Sequence, residues 1–513
     1  MYPAISSMNT IRITKSFWYL VLAIMCFEVL SLAGWSWPLV GKIAFWLILG
    51  LTGLVAFWRL DIALWVVLAE LVVGSKGYLF SGNVGSFSAS IRLGLFCVVI
   101  AVWLITRLTK HQVRFFKSKL FWWYAIFLGA LGWGIVNALI RHHPAKNIFL
   151  DVNGFLYLGL IFVFYEVITD RKKIATAIEI ILAGLTAVAI KTLVLLLIFA
   201  SQVSFLPSLY RWVRDTRVNE ITLISHNFYR VFSQSQIYCL FGAILILVIL
   251  TLAVGREGLK KHRALIILYV LATTTILISY SRSLWLSLAV TLIFVAVIFV
   301  RTYHYRLKGI VVFGGAVIGI FIAEIGCVYL LVNAPQWLKA RGGGVSLSTL
   351  VEERIGDTNE VALQSRWNLI TPLGQEIWKS PILGQGFGSE VTYLSKDPRI
   401  VANTGGLYKT YSFEWGYLDL ALKLGLIGLT IYALFLFQLF RIGIQAYRKN
   451  ENGERIFILG LLLALVSLLI THATTPYLNH PLGLGFIMVC AVIFEQFRHG
   501  KQQDENQLAA AQH

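Results

Sequence analysis

Charge is what this chain has least of, and acid is scarcest. Asp, Glu, Lys and Arg make up 13% of 513 residues, with 25 acids against 44 bases, while 58% of the chain is hydrophobic. A soluble globular protein of this size cannot be built with so little polar surface. Repeated apolar runs of about 18 residues or more indicate a polytopic helical membrane protein. The shortage of acid leaves a net charge of +19. In a soluble chain that would suggest nucleic acid. Here basic loops that hold the chain's orientation account for it, and no nucleic-acid partner is expected. Cysteine is scarce as well. Cys26, Cys97, Cys239, Cys327 and Cys490 all sit in apolar runs, without metal-ligand or disulfide spacing, and read as packing residues. The first apolar run, from Phe17, lacks a small-residue cleavage site and is followed by another, so it reads as a retained helix. No internal repeat is visible.

The apolar runs predict an all-α, polytopic integral membrane bundle of about 12–14 transmembrane helices. The candidate spans are 17–33, 39–57, 60–73, 88–106, 120–139, 148–168, 174–199, 231–254, 264–280, 283–300, 309–332, 415–440, 456–472 and 481–497. With the N-terminus inside, every inner loop is basic; Arg171, Lys172 and Lys173 make one example and Arg448 and Lys449 another. The short outer loops are mostly poor in Lys and Arg, so the positive-inside rule orients the whole chain with both termini cytoplasmic. The expected organisation is N-terminal helices over 1–199, central helices with an Arg-bearing outer loop over 200–332, and one large outer loop over 333–414. C-terminal helices over 415–497 and a disordered tail over 498–513 complete it. A connection as long as 333–414 is usually functional.

Several cations fall at outer ends of spans, where orientation rules disfavour them: Arg92, Arg141, Lys146, Lys191, Arg211, Arg214, Arg217 and Arg282. Arg282 stands in a hairpin with almost no loop, Ser281-Arg282-Ser283, between two long apolar runs. A guanidinium there is costly unless something anionic uses it. Taken one at a time, such arginines ordinarily snorkel to headgroups, and the spacing of Arg211, Arg214 and Arg217 suits a solvated helix face. Taken together they suit a lipid phosphate or diphosphate at the outer leaflet. Three acids, Glu28, Glu70 and Glu324, lie in the outer halves of spans, either to pair with these cations or to carry protons.

The large outer loop contains Gly342-Gly343-Gly344, then Gln364-Ser365-Arg366-Trp367 at the start of an amphipathic helix interrupted by Pro372. Further on comes Pro381-Ile382-Leu383-Gly384-Gln385-Gly386-Phe387-Gly388. Glycine at every second position suits a tight turn that lets backbone approach a ligand, and a plain turn is the favoured alternative. Glu414 is the last acid before the chain returns to the membrane, where a base could meet a lipid-linked substrate; the alternative is a surface or ion-paired carboxylate.

These pieces in this order resemble the O-antigen ligase and polysaccharide polymerase superfamily of bacterial inner-membrane proteins. The resemblance rests on Ser281-Arg282-Ser283 with Leu284-Trp285-Leu286, Arg366-Trp367 with Pro381 to Gly388, Gly425-Leu426-Ile427-Gly428-Leu429, and Thr475-Pro476-Tyr477. It implies a glycosyltransferase that moves a preassembled glycan from a polyprenyl diphosphate to a glycan or glycolipid acceptor on the outer face. It implies no nucleotide sugar, metal or cofactor, and no Asp-x-Asp motif is present. On this resemblance Arg282 and Glu414 are the catalytic candidates, with Arg211, Arg214, Arg217, Lys191 and Arg366 around the diphosphate. Ligases of the family carry His-Asn about eleven residues before the glycine matching Gly425. This chain has Glu414-Trp415 there, which favours a polymerase or a ligase with another acceptor. The competing reading is a secondary transporter or lipid-linked glycan flippase, which usually shows repeated halves.

Overall fold

The computed structural model describes residues 14–85, 87–107, 113–225, 228–257, 262–303, 307–338, 361–395 and 398–510. The chain is an all-α polytopic bundle. Among the described residues nine helices are long and apolar enough to cross a membrane. Three shorter apolar helices, Gln236–Thr251, Arg263–Ser279 and Val317–Asn333, lie between them. Leu60–Val73 and Ile91–Arg107 complete the expected passages. Gly342-Gly343-Gly344 lies outside the described residues.

The bundle is layered by burial. Of the apolar window in Pro481–His499, 94% lies inside the protein, against 28% in Lys15–Ser36 and in Pro38–Trp58. The last helix is therefore the core post and the first hairpin is peripheral. Arg171–Ser201 is the other well-enclosed helix. It starts where Asp170 accepts hydrogen bonds from the backbone amides of Lys172 and Lys173, and it ends at Gln202 in the left-handed region.

The two ends of the bundle differ. One carries basic residues closed by short-range pairs: Arg107 with Glu166 at 2.6 Å, and Arg171 over the Phe497 ring at 3.4 Å. The other carries, among the described residues, three two-stranded antiparallel hairpins, Ser81–Val84 with Phe87–Ser90, Glu220–Ser225 with Phe228–Phe232, and Val391–Leu394 with Leu407–Thr410. The stretch 200–230, expected as a loop, holds an amphipathic helix, Leu206–Asp215, as well as the second hairpin. Leu209, Trp212 and Val213 face inward there, and Trp212 donates to the Ser31 hydroxyl at 3.2 Å. The tail expected to be disordered continues the last helix to Ala510; its Gln, Glu, Lys, Leu and Ala residues are good helix formers.

One helix is broken. Gly416–Lys449 contains Gly425 at φ 67°, ψ −175°, a conformation essentially restricted to glycine. The break orphans backbone groups on both sides, and the Pro381–Gly388 loop takes them up. The amides of Gln385 and Gly386 donate to the carbonyls of Leu422 and Lys423 at 2.7 and 3.0 Å. The amides of Leu426 and Ile427 donate back to Pro381 and Ile382 at 2.8 and 3.2 Å. Gly384 and Gly386 both have positive φ, and a Cβ on either would press into this backbone or that of Ala138. The alternating glycines thus bring the loop's backbone against protein backbone.

Candidate functional site

The Arg282 corner is built by two helices meeting almost without a loop. Arg263–Ser279 stops at Tyr280, held at φ 52° between the rings of Phe228 and Trp285. Ser281 begins the next turn: its carbonyl accepts from the Trp285 amide at 3.0 Å, and its hydroxyl lies 2.9 Å from that of Ser283. Thr475 donates to the Ser283 hydroxyl at 3.0 Å. Arg282, half-buried, is the first residue of Arg282–Tyr303. Arg230 donates from Nε to the Ser279 carbonyl at 3.0 Å. Two guanidinium groups therefore flank a helix N-terminus, where backbone amides and dipole also favour an anion.

The turn between Asn452–His472 and the last helix joins this corner to the rest of the hairpin-bearing end. Thr475 holds Ser283, the Tyr477 hydroxyl donates to the Gln234 carbonyl at 3.0 Å, and Asn479 donates to Asp419 at 2.7 Å. His480 is half-buried in the same turn. Burial pushes its imidazole down to about 3, and the positive charges of Arg92 and Lys76 act in the same direction, so it is neutral.

Glu414 is exposed on the other side of that turn. It forms an ion pair with Arg366, which is held in place by Trp415 donating to the Arg366 carbonyl at 3.0 Å. Tyr417 packs edge-on against His472 at 4.8 Å. Arg366 is therefore placed with Glu414. Nearby, burial alone would raise the Glu376 carboxyl, but hydrogen bonds from Lys379 and Gln385 hold it below the ordinary range.

Arg211 and Arg214 lie on the exposed face of Leu206–Asp215. Arg217, at φ 53°, sets its guanidinium over the Tyr78 ring at 4.8 Å. Beside them is a cavity of about 300 Å³ with Trp35, Lys42, Tyr78, Asn83 and Asp215 in its wall. Trp35 donates to Asp215 at 2.9 Å. Aromatic faces beside amide, carboxylate and ammonium groups suit a polyhydroxylated ring. Lys191 stays inside the bundle, bonded to Glu28 at 2.6 Å, both side chains about 6% exposed. Glu70 pairs with buried Arg92 at 2.8 Å, and Glu324 accepts from Thr273. Each of the three acids has its own local partner.

Sequence reasoning missed one cluster. Lys423 bonds Asp151 at 2.7 Å and Asp419 at 2.6 Å, with all three side chains no more than 6% exposed. The second Asp151 oxygen accepts from the Gly388 amide at 2.6 Å. This network ties the broken helix, the glycine loop, the Ala145–Leu156 helix and the 473–480 turn. The i,i+4 spacing of Asp419 and Lys423 was the only local sign of it.

No curated protein matches the chain. Residues 267–433, from within the helix that leads to the Arg282 corner to just past the broken-helix glycine, match the family model for O-antigen ligase. Over that segment the chain is similar to the O-antigen ligase family, whose members act on lipid-linked glycans in membranes.

Proposed function

We propose that the protein transfers a preassembled glycan from a polyprenyl diphosphate to an acceptor hydroxyl on the outer face of a bacterial inner membrane. The observation that carries this reading is the Arg282 corner. A half-buried arginine begins a helix inside the matched segment, with Arg230 one carbonyl away and serine and threonine hydroxyls around it. In the reaction the acceptor oxygen bonds to the anomeric carbon while the bond from that carbon to the diphosphate oxygen breaks. The diphosphate leaves with the electron pair, and the acceptor proton passes to the Glu414 carboxylate. Arginine neutralises charge that develops on the leaving group, which is the kind of contact that accelerates a transfer. Arg211, Arg214 and Arg217 extend the cationic rim, and the cavity beside Tyr78 is placed to take sugar. With Glu414 where ligases carry His-Asn, polymerisation is favoured over ligation.

The test is transfer by purified protein given a polyprenyl-diphosphate oligosaccharide, with chelator and without nucleotide sugar. Wild type should lengthen the lipid-linked glycan. Arg282→Ala should lose about 10²–10³-fold in rate, the scale for removing a charge-stabilising donor. Glu414→Gln should lose a comparable factor. Full activity in both variants would remove this assignment.

A further inference from the structure

We infer that residues 381–384 form a re-entrant turn that enters the bilayer from the hairpin-bearing side and packs against phospholipid acyl chains. This goes beyond the transfer reading and does not depend on it.

The chain changes character over a few residues here. Lys379, paired with Glu376 at 2.6 Å, is the last charge before the turn, and Trp378 beside it is exposed, as suits a ring at a membrane interface. Pro381, Ile382 and Leu383 then point outward, with Ile382 59% and Leu383 45% exposed, while Gly384, Gly386 and Phe387 are buried. The outward side chains do not stand alone. Leu426 and Ile427 of the broken helix and Trp133 of Phe121–Ile140 are exposed apolar residues on membrane-spanning helices, where the surroundings are lipid. Leu383 shares with Ile126, Gly129, Trp133, Ile427 and Ile431 the wall of one shallow apolar groove of about 270 Å³. The turn therefore continues a surface that the spanning helices already give to acyl chains.

Depth and backbone bonding agree with this. Phe121–Ile140 has 20 residues, about 30 Å at helical rise, which matches the hydrocarbon thickness. Its Ile140 end lies on the hairpin-bearing side, because Asn147, just past that end, donates to Glu390 next to the strand Val391–Leu394. Trp133 lies seven residues before Ile140, about 10 Å below that end. Its indole donates to the Leu383 carbonyl at 3.3 Å, so the turn reaches the same depth. A loop in water can leave its carbonyls to solvent, whereas non-helical backbone at membrane depth needs partners from the protein. Four consecutive carbonyls have them. Those of Pro381 and Ile382 accept from the Leu426 and Ile427 amides at 2.8 and 3.2 Å, that of Leu383 from Trp133, and that of Gly384 from the Asn137 side chain at 2.9 Å. Apolar side chains outward and bonded carbonyls inward are what hydrocarbon requires of a turn.

The wild-type chain in phosphatidylcholine liposomes that carry a diazirine on the acyl chain tests this without any substitution. After irradiation and digestion, mass spectrometry should find adducts on Ile382 or Leu383 as well as on Leu426 and Ile427, and none over 407–412. Adducts at Leu426 and Ile427 with none over 381–383 would overturn the inference. A second measurement uses a membrane-impermeant maleimide supplied to both sides of the bilayer. Ile382→Cys should react about tenfold more slowly than Ser412→Cys, because a thiol in hydrocarbon does not ionise to the reactive thiolate. Equal rates would overturn the inference as well. Neither measurement involves turnover, so failure of the transfer reading would leave both results unchanged.

Discussion

Two ion pairs of this molecule, one buried and one at the surface, carry different energetic weight. Lys423 sits between Asp151 and Asp419, out of water, so replacing it leaves two carboxylates with no cation. Removing one member of a buried pair costs about 3–5 kcal/mol. The Arg366–Glu414 pair is 42% and 52% exposed, and pairs of that kind contribute about 0–1 kcal/mol. Lys423→Met should therefore lower the apparent unfolding temperature sharply in a fixed detergent, while Glu414→Gln should melt close to wild type. Equal melting of Lys423→Met and wild type would mean the buried network contributes nothing. The same contrast explains what the sequence revealed at this scale. Arg282 stood out because its short hairpin lies between two long apolar runs. Asp151 was hidden as a partner of Lys423 because it lies 272 positions away, whereas Glu28, 163 positions from Lys191, stood in the sequence only as one of three acids that could pair with the outer cations.

Helices were the most legible elements, because runs of apolar residues report burial or lipid directly. The exception is the break at Gly425, where hydropathy continues unbroken through a backbone that does not. The alternating glycines at 384, 386 and 388 read as a turn that a ligand's approach could explain, but what they meet is another segment's main chain, which no local pattern encodes. Gly425→Ala should therefore be costly twice over. Its φ of 67° with extended ψ disfavours any side chain by about 1–3 kcal/mol, and the new methyl would press on the Ile382 carbonyl and Gly384 amide. Limited proteolysis provides the readout. The variant should be cut within 380–388 under conditions that leave wild type intact, while Gly129→Ala, placed in open space, should resist as wild type does. Equal resistance at Gly425→Ala would mean the loop does not depend on the break.

At the scale of the whole molecule, charge sorts the two ends and so decides where chemistry can occur. The end without hairpins carries Arg107, Arg171 and Lys449 beside Glu166, Glu454 and Glu495. From the positive-inside rule we propose that this end faces the cytoplasm. On that proposed orientation the hairpins, the Arg282 corner and Glu414 share the outer side, where the proposed lipid-linked donor would meet them. Single-cysteine reporters check this. Ser412 is exposed beside the Leu407–Thr410 strand, and Glu451 is exposed between two helices at the opposite end. The exposed native cysteines Cys26, Cys97 and Cys327 lie within apolar helices, away from a water-borne reagent. A membrane-impermeant maleimide should label Ser412→Cys in intact cells and Glu451→Cys only after permeabilisation. The reverse pattern would turn the arginines toward the cytoplasm, where an outer-face donor could not meet them, and the transfer reading would fail along with the orientation.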